Sequence, residues 1–350
     1  MVGIIKGVIT RIKEVAPKCN NSHCVLHRHA LAIKKLSPNL KSVLDVADQC
    51  VNFIKSRPLK TRLFKKLCEE MGSDHQNLLL RTEIRWLSRG KVLTRLFEMR
   101  DEVKIFLKEH TKTNLFEGFH DENWLIKLAY LSDIFNKLNE TNLGLQGKET
   151  SIFQANDKIK VLIGKLDFWV ECVQENDFSC FSNLNKFLYE NESSVTPINT
   201  EEIKDHLINL KSGLLSHFPR INEDSDNLWV QNPFLIQKKP KELSSIEYEN
   251  LLEVKSSSEL KIKFESLTIE EFWIAMESDY EQLSIKAITV LLPFTTSYLC
   301  ETGFSAYTKT KNKFRNQLNA APDLRIQLSG ITPDLKTIMK KTVERFQSSH

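Results

Sequence analysis

The chain has 350 residues, of which 41% are hydrophobic and 27% charged, a composition typical of a globular protein with room for two domains. Its 49 basic and 45 acidic residues give a net charge of +4, which is too small to indicate nucleic-acid binding without local clustering. No apolar run approaches the roughly 20 residues of a membrane span, and no cleavable signal opens the chain, so we expect a reducing compartment. Seven scattered cysteines favour free thiols over a disulfide framework.

The N-terminal part of the chain predicts helices and one short strand. A helix over residues 2–15 ends before a proline, which cannot continue it. Residues 22–27 are rich in strand-compatible side chains and predict a brief strand, which feeds a helix over residues 30–36. Apolar residues then recur at helical spacing over residues 40–67, with Pro58 as an interruption.

Residues 81–91 carry basic side chains around an indole and lead into a helix with one apolar face. That face consists of Val92, Leu96, Met99, Val103 and Phe106. Phosphate oxygens attract Arg and Lys, and a tryptophan ring can stack on an unpaired base. The candidate nucleic-acid-binding residues are therefore Arg85, Trp86, Arg89 and Lys91. The alternative is a tryptophan packed in the core with solvated arginines around it.

The middle of the chain predicts a succession of amphipathic helices that bury one another. Their apolar stripes fall within residues 124–138, 152–173, 181–188, 203–214 and 251–283. Thr200 is a candidate N-cap, because its hydroxyl can accept a backbone N–H and two glutamates follow where the helix dipole favours acids. Prolines and a polar run over residues 220–242 predict a long surface loop.

The stretch over residues 291–306 predicts a helix that starts after Pro293. The hydroxyl cluster behind this proline can accept the first unpaired backbone N–H groups. A period of 3.6 residues places Glu301 on the same side as Phe294 and Phe304, inside an apolar stripe. A buried carboxylate needs a partner, so Glu301 is either a satisfied structural residue or a metal-binding or catalytic one.

Three blocks, in this order along the chain, resemble the C-terminal half of hAT-superfamily transposases. They are Cys24-x-x-His27, Ile84-Arg85-Trp86-Leu87-Ser88, and Leu292-Pro293 through Ala306 with Arg315 and Leu318 behind it. Within that superfamily the chain is most similar to domesticated proteins that join such a region to a BED zinc finger or a SCAN domain. The resemblance covers nearly the whole chain, and the order and spacing of the blocks make it specific.

The resemblance implies a mainly α fold, with a remnant of an RNase H-like α/β core of few short strands and a large all-helical insertion domain. On this basis we expect residues 1–40 to be the core remnant and residues 41–285 the helical insertion domain. Residues 286–350 are then the C-terminal hAT-type region, which serves dimerisation in the superfamily and completes the core.

The resemblance also implies an active site of two aspartates and one glutamate, which in active members holds divalent ions such as Mg²⁺. Glu301 falls at the position of the glutamate, and Arg85 with Trp86 falls on the motif that contacts a flipped base or hairpin end. The two aspartates are absent from this chain, and Thr302 stands where active relatives commonly have an arginine. Because two-metal chemistry needs several carboxylates, we expect no catalysis and no cofactor, and a Glu301 that is hydrogen-bonded or paired with a basic residue.

Two functions remain open from the sequence. The first is a non-catalytic, domesticated protein, nuclear by resemblance and otherwise cytoplasmic, that self-associates or binds a protein partner and has no membrane or small-molecule ligand. The second is a DNA-binding fragment that acts through Arg85 and Trp86, with a further basic run from Lys309 to Arg315. That run also fits a solvated helix end, since basic residues there complement the dipole.

A zinc site is a third possibility, because Cys19, Cys24, His27 and His29 are suitable ligand types. Their spacing, with one residue between the histidines, lacks the usual form of two paired ligand turns. The alternative is a satisfied polar cluster at the end of the predicted strand.

Overall fold

A computed structural model gives the fold of this protein. It describes residues 7–17, 23–79, 89–111, 114–147, 150–191, 199–219, 221, 227–293, 295–311, 319–329 and 334. The regular structure of these residues is helical and includes no strand, in agreement with the predicted mainly α class. The RNase H-like remnant stays a prediction. The chain divides into two compact units, Met1–Thr296 and Ser297–His350.

The larger hydrophobic core of the first unit is built by helices that follow one another from residue 25 to residue 217. With the helix that precedes them, they are α1 Val8–Val15, α2 Val25–Ala32, α3 Pro38–Lys55, α4 Pro58–Glu70, α5 Arg89–Glu98, α6 Arg100–His110, α7 Glu122–Leu145, α8 Ile152–Gln174, α9 Ser182–Glu190 and α10 Thr200–His217. A 3₁₀ helix over Asn114–His120 leads into α7. Helix α7 packs against α2, α3, α5, α8 and α9, and four consecutive residues from Leu128 to Leu131 are fully buried. A helix buried on all sides is the centre of its core.

Two glycines allow helices of this core to approach each other closely. A Cβ atom on Gly90 of α5 would lie 2.5 Å from Oδ1 of Asn136 on α7. A Cβ atom on Gly213 of α10 would lie 2.5 Å from the carbonyl oxygen of Ala32 at the end of α2. Any larger side chain at either position would have to displace its neighbour.

A second, smaller hydrophobic core lies in the same unit and is built mainly from residues 229–287, joined by Phe153 of α8. Its helices are α11 Leu228–Gln231, α12 Ser245–Ser256, α13 Ser258–Ser266, α14 Ile269–Ala275 and α15 Glu281–Leu291, with a 3₁₀ helix over Pro233–Leu235. Trp229 and Trp273 meet edge to face, with ring centroids 5.2 Å apart. Capping boxes at Ser244 and Thr268 start α12 and α14, since each pairs with a glutamate three residues on.

In the second unit, helix α16 spans Tyr298–Thr310 and helix α17 spans Ala321–Leu328. The hydroxyl of Thr310 and the side-chain amide of Gln327 are hydrogen-bonded at 3.1 Å, which ties the two helices together. Phe304 is 70% exposed and Ile326 is also exposed, so the described part of this unit leaves apolar side chains at its surface.

Most predicted helices are confirmed in their described parts. The interruption at Pro58 is the boundary between α3 and α4, because proline suits the first turn of a helix. The apolar stripe from Val92 to Phe106 is buried as predicted, but it spans two helices that meet at Met99. The predicted N-cap is one residue off, since Oδ1 of Asn199 accepts the backbone N–H of Glu202 at 3.2 Å.

The predicted strand over residues 22–27 is wrong, because helix α2 begins at Val25. Its buried residues recur at helical spacing and are Val25, Leu26, His29 and Ala32. Strand propensity in a six-residue window is a weak preference, and burial of this stripe against α7 and α10 overrides it.

The surface loop predicted over residues 220–242 is confirmed for residues 236–242, which are irregular and mostly exposed, and is wrong around residues 228–235. Residues 228–231 form helix α11, and the side chains of Trp229 and Val230 are buried in the second core. Arg220 and residues 222–226 lie outside the described residues. The prolines and polar residues of this segment therefore flank a short buried helix. Two apolar residues are too few to show helical periodicity in the sequence.

Free thiols, as predicted, are found at Cys50, Cys68, Cys172, Cys180 and Cys300, and Cys19 lies outside the described residues. Cys50 on α3 and Cys68 on α4 are buried, whereas Cys300 on α16 is exposed. Burial raises the pKa of the Cys50 thiol to about 12 and that of the Cys68 thiol to about 11. A buried thiol with a raised pKa is unreactive.

Candidate interaction surfaces

Glu301 lies in the first turn of α16 and is exposed rather than buried in an apolar stripe. The hydroxyl of Ser297 donates a hydrogen bond to its Oε1 at 3.0 Å. Ser297 is the N-cap residue of this helix, yet its side chain accepts no backbone N–H there. The structure thus supplies the expected hydrogen bond, and its donor comes from one turn earlier in the same helix.

Of the four candidate zinc ligands, Cys19 lies outside the described residues, and the two histidines do not point to a common site. His27 lies on the exposed side of α2, whereas His29 is fully buried. Residues two apart on a helix point about 200° apart, so these rings diverge. Among the described residues, no group of three or more His, Cys, Asp or Glu could hold a metal ion.

The predicted nucleic-acid-binding block is only partly described, since Arg85 and Trp86 lie outside the described residues. Arg89 is 7% exposed, and its Nη2 lies 3.6 Å from Oδ2 of Asp48 on α3. A guanidinium in such a buried ion pair has little surface to offer a phosphate. Lys91 is exposed on α5 and keeps its amine at the surface.

A stronger basic cluster, which the sequence analysis did not identify, spans residues 55–66. It contains no acidic residue, and its six bases are Lys55, Arg57, Lys60, Arg62, Lys65 and Lys66. Most of them lie on α4, where Leu59 and Leu63 are exposed beside them. A count of charges in a sliding window would have found this cluster. Its last two lysines, Lys65 and Lys66, each form an ion pair at 3.5 Å, with Glu69 and Glu70 respectively.

The outer face of helix α8 carries exposed apolar side chains on a long, well-formed helix. Val161 is 57% exposed and Phe168 is 53% exposed, on the side of the helix opposite to its buried stripe. Gly164 lies between them, and a Cβ atom there would meet no atom within 4 Å. A glycine in a helix interior is less favourable than alanine by about 1 kcal/mol. Because no neighbouring atom requires a glycine at position 164, the packing of the chain itself does not explain this residue.

Charged residues surround this face of α8 at both ends. Lys160 precedes Val161, and Glu171 follows Phe168 by one turn. Both are exposed. We call the surface formed by Lys160, Val161, Gly164, Phe168 and Glu171 the α8 face.

Residues 23–174, which include α2 through α8, match the family model of the FAM200/GTF2IRD2 helical domain. This domain is typical of a domesticated, transposase-related family, so the transposase-like character inferred from the sequence has independent support in this region. The match spans less than half of the chain. No solved structure matches the chain.

The hAT, BED and SCAN details of the resemblance stay predictions, as do the three domain boundaries. Among the described residues, no helix is both long enough and apolar enough to cross a membrane.

Proposed function

We propose that this protein is a non-catalytic, transposase-derived, nuclear protein whose helical region acts as a self-association module. Its support is the similarity of residues 23–174 to a helical domain of a domesticated transposase-related family. The resemblance to hAT transposases leaves Glu301 as a single carboxylate of a site that needs several, and we therefore expect neither Mg²⁺ binding nor strand cleavage.

The α8 face is the observation that carries this proposal. Two large apolar side chains, each more than half exposed, are separated by a glycine that allows a second helix to approach closely. Exposed apolar residues are ordinary when single, and here two of them, Val161 and Phe168, share one helix face with a glycine between them.

A second copy of this chain is the partner that the charges favour. The α8 face has Lys160 toward its N-terminal end and Glu171 toward its C-terminal end. When two copies run antiparallel, the lysine of each helix lies beside the glutamate of the other, and Val161 lies near Phe168. The face is therefore complementary to itself, as a two-fold symmetric dimer interface requires.

Sedimentation velocity of the purified chain over a range of concentrations tests the proposal. We expect a monomer–dimer equilibrium that Phe168→Glu shifts toward monomer by at least about tenfold in Kd, since a charge would be buried without a partner. Ile246→Glu on α12 is the matched control, because Ile246 is 71% exposed and lies outside the α8 face.

Charge reversal gives a sharper version of the same test. Lys160→Glu and Glu171→Lys should each weaken the dimer, and the double variant should restore it, because the pair is re-formed with opposite polarity. A monomer at all concentrations, or a dimer that is insensitive to Phe168→Glu, would show that this face is not the interface.

DNA binding is the second candidate function, favoured by the basic cluster over residues 55–66 together with the Arg85–Trp86 motif. Fluorescence anisotropy with hairpin and single-stranded DNA should show binding that weakens steeply with salt, because phosphate contacts release counterions. Arg62→Gln with Lys66→Gln should reduce it, whereas Lys261→Gln with Lys263→Gln on α13 should not. A response that is flat with salt would remove this candidate.

A further inference from the structure

Two cysteines meet where helix α8 ends and the chain turns toward α9. Cys172 lies in the last turn of α8 and is 5% exposed, and Cys180 lies in the connection between the two helices and is partly exposed. Both are free thiols, and the two thiols are hydrogen-bonded to each other. Neither cysteine belongs to the α8 face or to the basic cluster, so their pairing is a separate feature of the molecule.

Backbone hydrogen bonds turn the chain back immediately after Cys172. The backbone N–H of Asp177 donates to the carbonyl oxygen of Cys172 at 2.9 Å, and that of Asn176 donates to the carbonyl oxygen of Val173 at 3.2 Å. Asn176 has a φ of 59°, in the left-handed region. These features together form a Schellman motif, which ends α8 and reverses the chain direction at a defined residue.

Buried aromatic side chains hold the other end of this connection. Phe178 and Phe181 are both buried in the larger hydrophobic core. The backbone N–H of Phe181 donates to the carbonyl oxygen of Phe178 at 2.8 Å, so Cys180 lies in a tight turn between two anchored rings. The contact between the two thiols therefore follows from a backbone that is fixed on both sides.

The two thiols differ in how readily a reagent reaches them. Burial, and then the Cys180 thiol and the charges of Asp177 and Glu175, raise the pKa of the Cys172 thiol. Because the thiolate is the nucleophile, the partly exposed Cys180 is the residue that a reagent attacks first. An S–S bond is only about 2.05 Å long, so a disulfide forms without backbone rearrangement only between side chains that already lie together, as these two do.

We propose that Cys172 and Cys180 form a dithiol site that small-molecule disulfides oxidise to an intramolecular disulfide. The Cys180 thiolate attacks one sulfur of the small disulfide, whose S–S bond breaks, and one half leaves as a thiolate. The Cys172 thiolate then attacks Sγ of Cys180, and the second half leaves. Each departing thiolate takes up a proton that one cysteine has released, so two protein thiols are oxidised and one small disulfide is reduced to two thiols. In a reducing compartment the site stays a dithiol until small disulfides accumulate.

The test treats the full chain with cystamine, a cationic disulfide that the neighbouring acidic side chains attract, and then blocks the remaining thiols with N-ethylmaleimide. Trypsin cleavage after Lys165 and Lys186 leaves both cysteines in one peptide. We expect this peptide to lose the mass of two hydrogen atoms and to carry neither cysteamine nor maleimide. Cys300, which is exposed on α16, should instead gain one cysteamine and shows that the reagent is active. A peptide that keeps two blocked thiols or a cysteamine would overturn the proposal.

Two further measurements test the order of attack and the role of the fold. Cys172→Ser should keep cysteamine on Cys180, because the second thiol is missing, whereas Cys180→Ser should leave Cys172 unmodified. Modification of Cys172 in Cys180→Ser as fast as that of Cys300 would contradict this order. In a buffer of cysteamine and cystamine, the unaltered folded chain should favour the disulfide at least about tenfold more than the same chain unfolded in urea, because the fold holds the thiols together. Equal oxidation in both states would show that the fold does not build this site.

Discussion

At the scale of single residues, two buried histidines couple the stability of this fold to pH. His29 is fully buried with both ring nitrogens unpartnered, and burial lowers its pKa to about 4. His206 is also buried, and Nδ1 of its ring lies 2.8 Å from the Tyr130 hydroxyl. Burial lowers the pKa of His206 to about 4 as well, against an opposing effect of Glu202. Both rings are therefore neutral in the folded protein at pH 7.

Stability should fall in acid because of these rings. The folded-state pKa values lie below the ordinary value of 6.5, so the unfolded chain binds more protons between pH 6.5 and pH 4. The contribution is fully present above pH 6.5 and is lost as the pH falls to about 4, by about 3 kcal/mol for each ring. Urea unfolding followed by circular dichroism at pH 7, 6, 5 and 4.5 measures this loss.

His29→Leu separates the two rings. No partner loses a hydrogen bond in this variant, so we expect unchanged stability or a gain of about 1 kcal/mol at pH 7. The loss between pH 6.5 and pH 4.5 should be about halved. His27→Leu, on the exposed side of the same helix, is the control that should leave the pH dependence as it is. An unaltered pH dependence in His29→Leu would contradict a neutral, unpaired imidazole at this position.

Residue types alone could not assign these roles. His29 and Arg89 were reasonable choices as a metal ligand and a phosphate contact, because the sequence shows chemistry but not burial. The structure buries His29 against other helices and pairs Arg89 with Asp48, a residue 41 positions earlier in the chain. Helical phase separates His27 from His29, and that separation could have been predicted if residues 25–32 had been recognised as a helix.

At the scale of elements, two glycines in helices should respond in opposite ways to alanine. Gly213→Ala brings a methyl group against the backbone of Ala32, which cannot move without shifting α2, and should destabilise by about 1–3 kcal/mol. Gly164→Ala adds the same methyl group where no atom lies within 4 Å, and should stabilise by about 1 kcal/mol.

The unfolding free energies of Gly213→Ala and Gly164→Ala are best measured at a protein concentration low enough for the chain to be monomeric, since Gly164 belongs to the α8 face. Each variant then controls for the other, because the chemical change is identical. A stable Gly213→Ala would mean that α2 and α10 pack less closely than the structure shows.

The presence of most helices could be predicted from hydrophobic periodicity. The capping interactions at their ends could be predicted only in part. The boxes at Ser244 and Thr268 are local and can be found by inspection. The start of α9 is different, because Asp133 on α7 accepts the backbone N–H groups of Asn183 at 3.1 Å and Leu184 at 3.0 Å. Such a cap joins residues about 50 positions apart, and no local pattern encodes it.

At the scale of the whole molecule, the first unit contains both hydrophobic cores and the α8 face. A chain that ends at Thr296 keeps all of these, so we expect it to fold, with a cooperative thermal transition followed by circular dichroism. It should also dimerise with the Kd of the full chain. A folded but monomeric truncation would instead place the interface in Ser297–His350, the region that the hAT resemblance associates with dimerisation.

The cysteines described above make local opening of this fold measurable. A thiol reagent reaches Cys50 and Cys68 only when α3 and α4 separate from their neighbours, whereas Cys300 on α16 reacts without any such event. The ratio of these labelling rates at one pH gives the fraction of time that the α3–α4 region spends open. The labelling rates of Cys50 and Cys68 therefore report how often the helices beneath the basic cluster open. DNA bound to that cluster would slow this labelling.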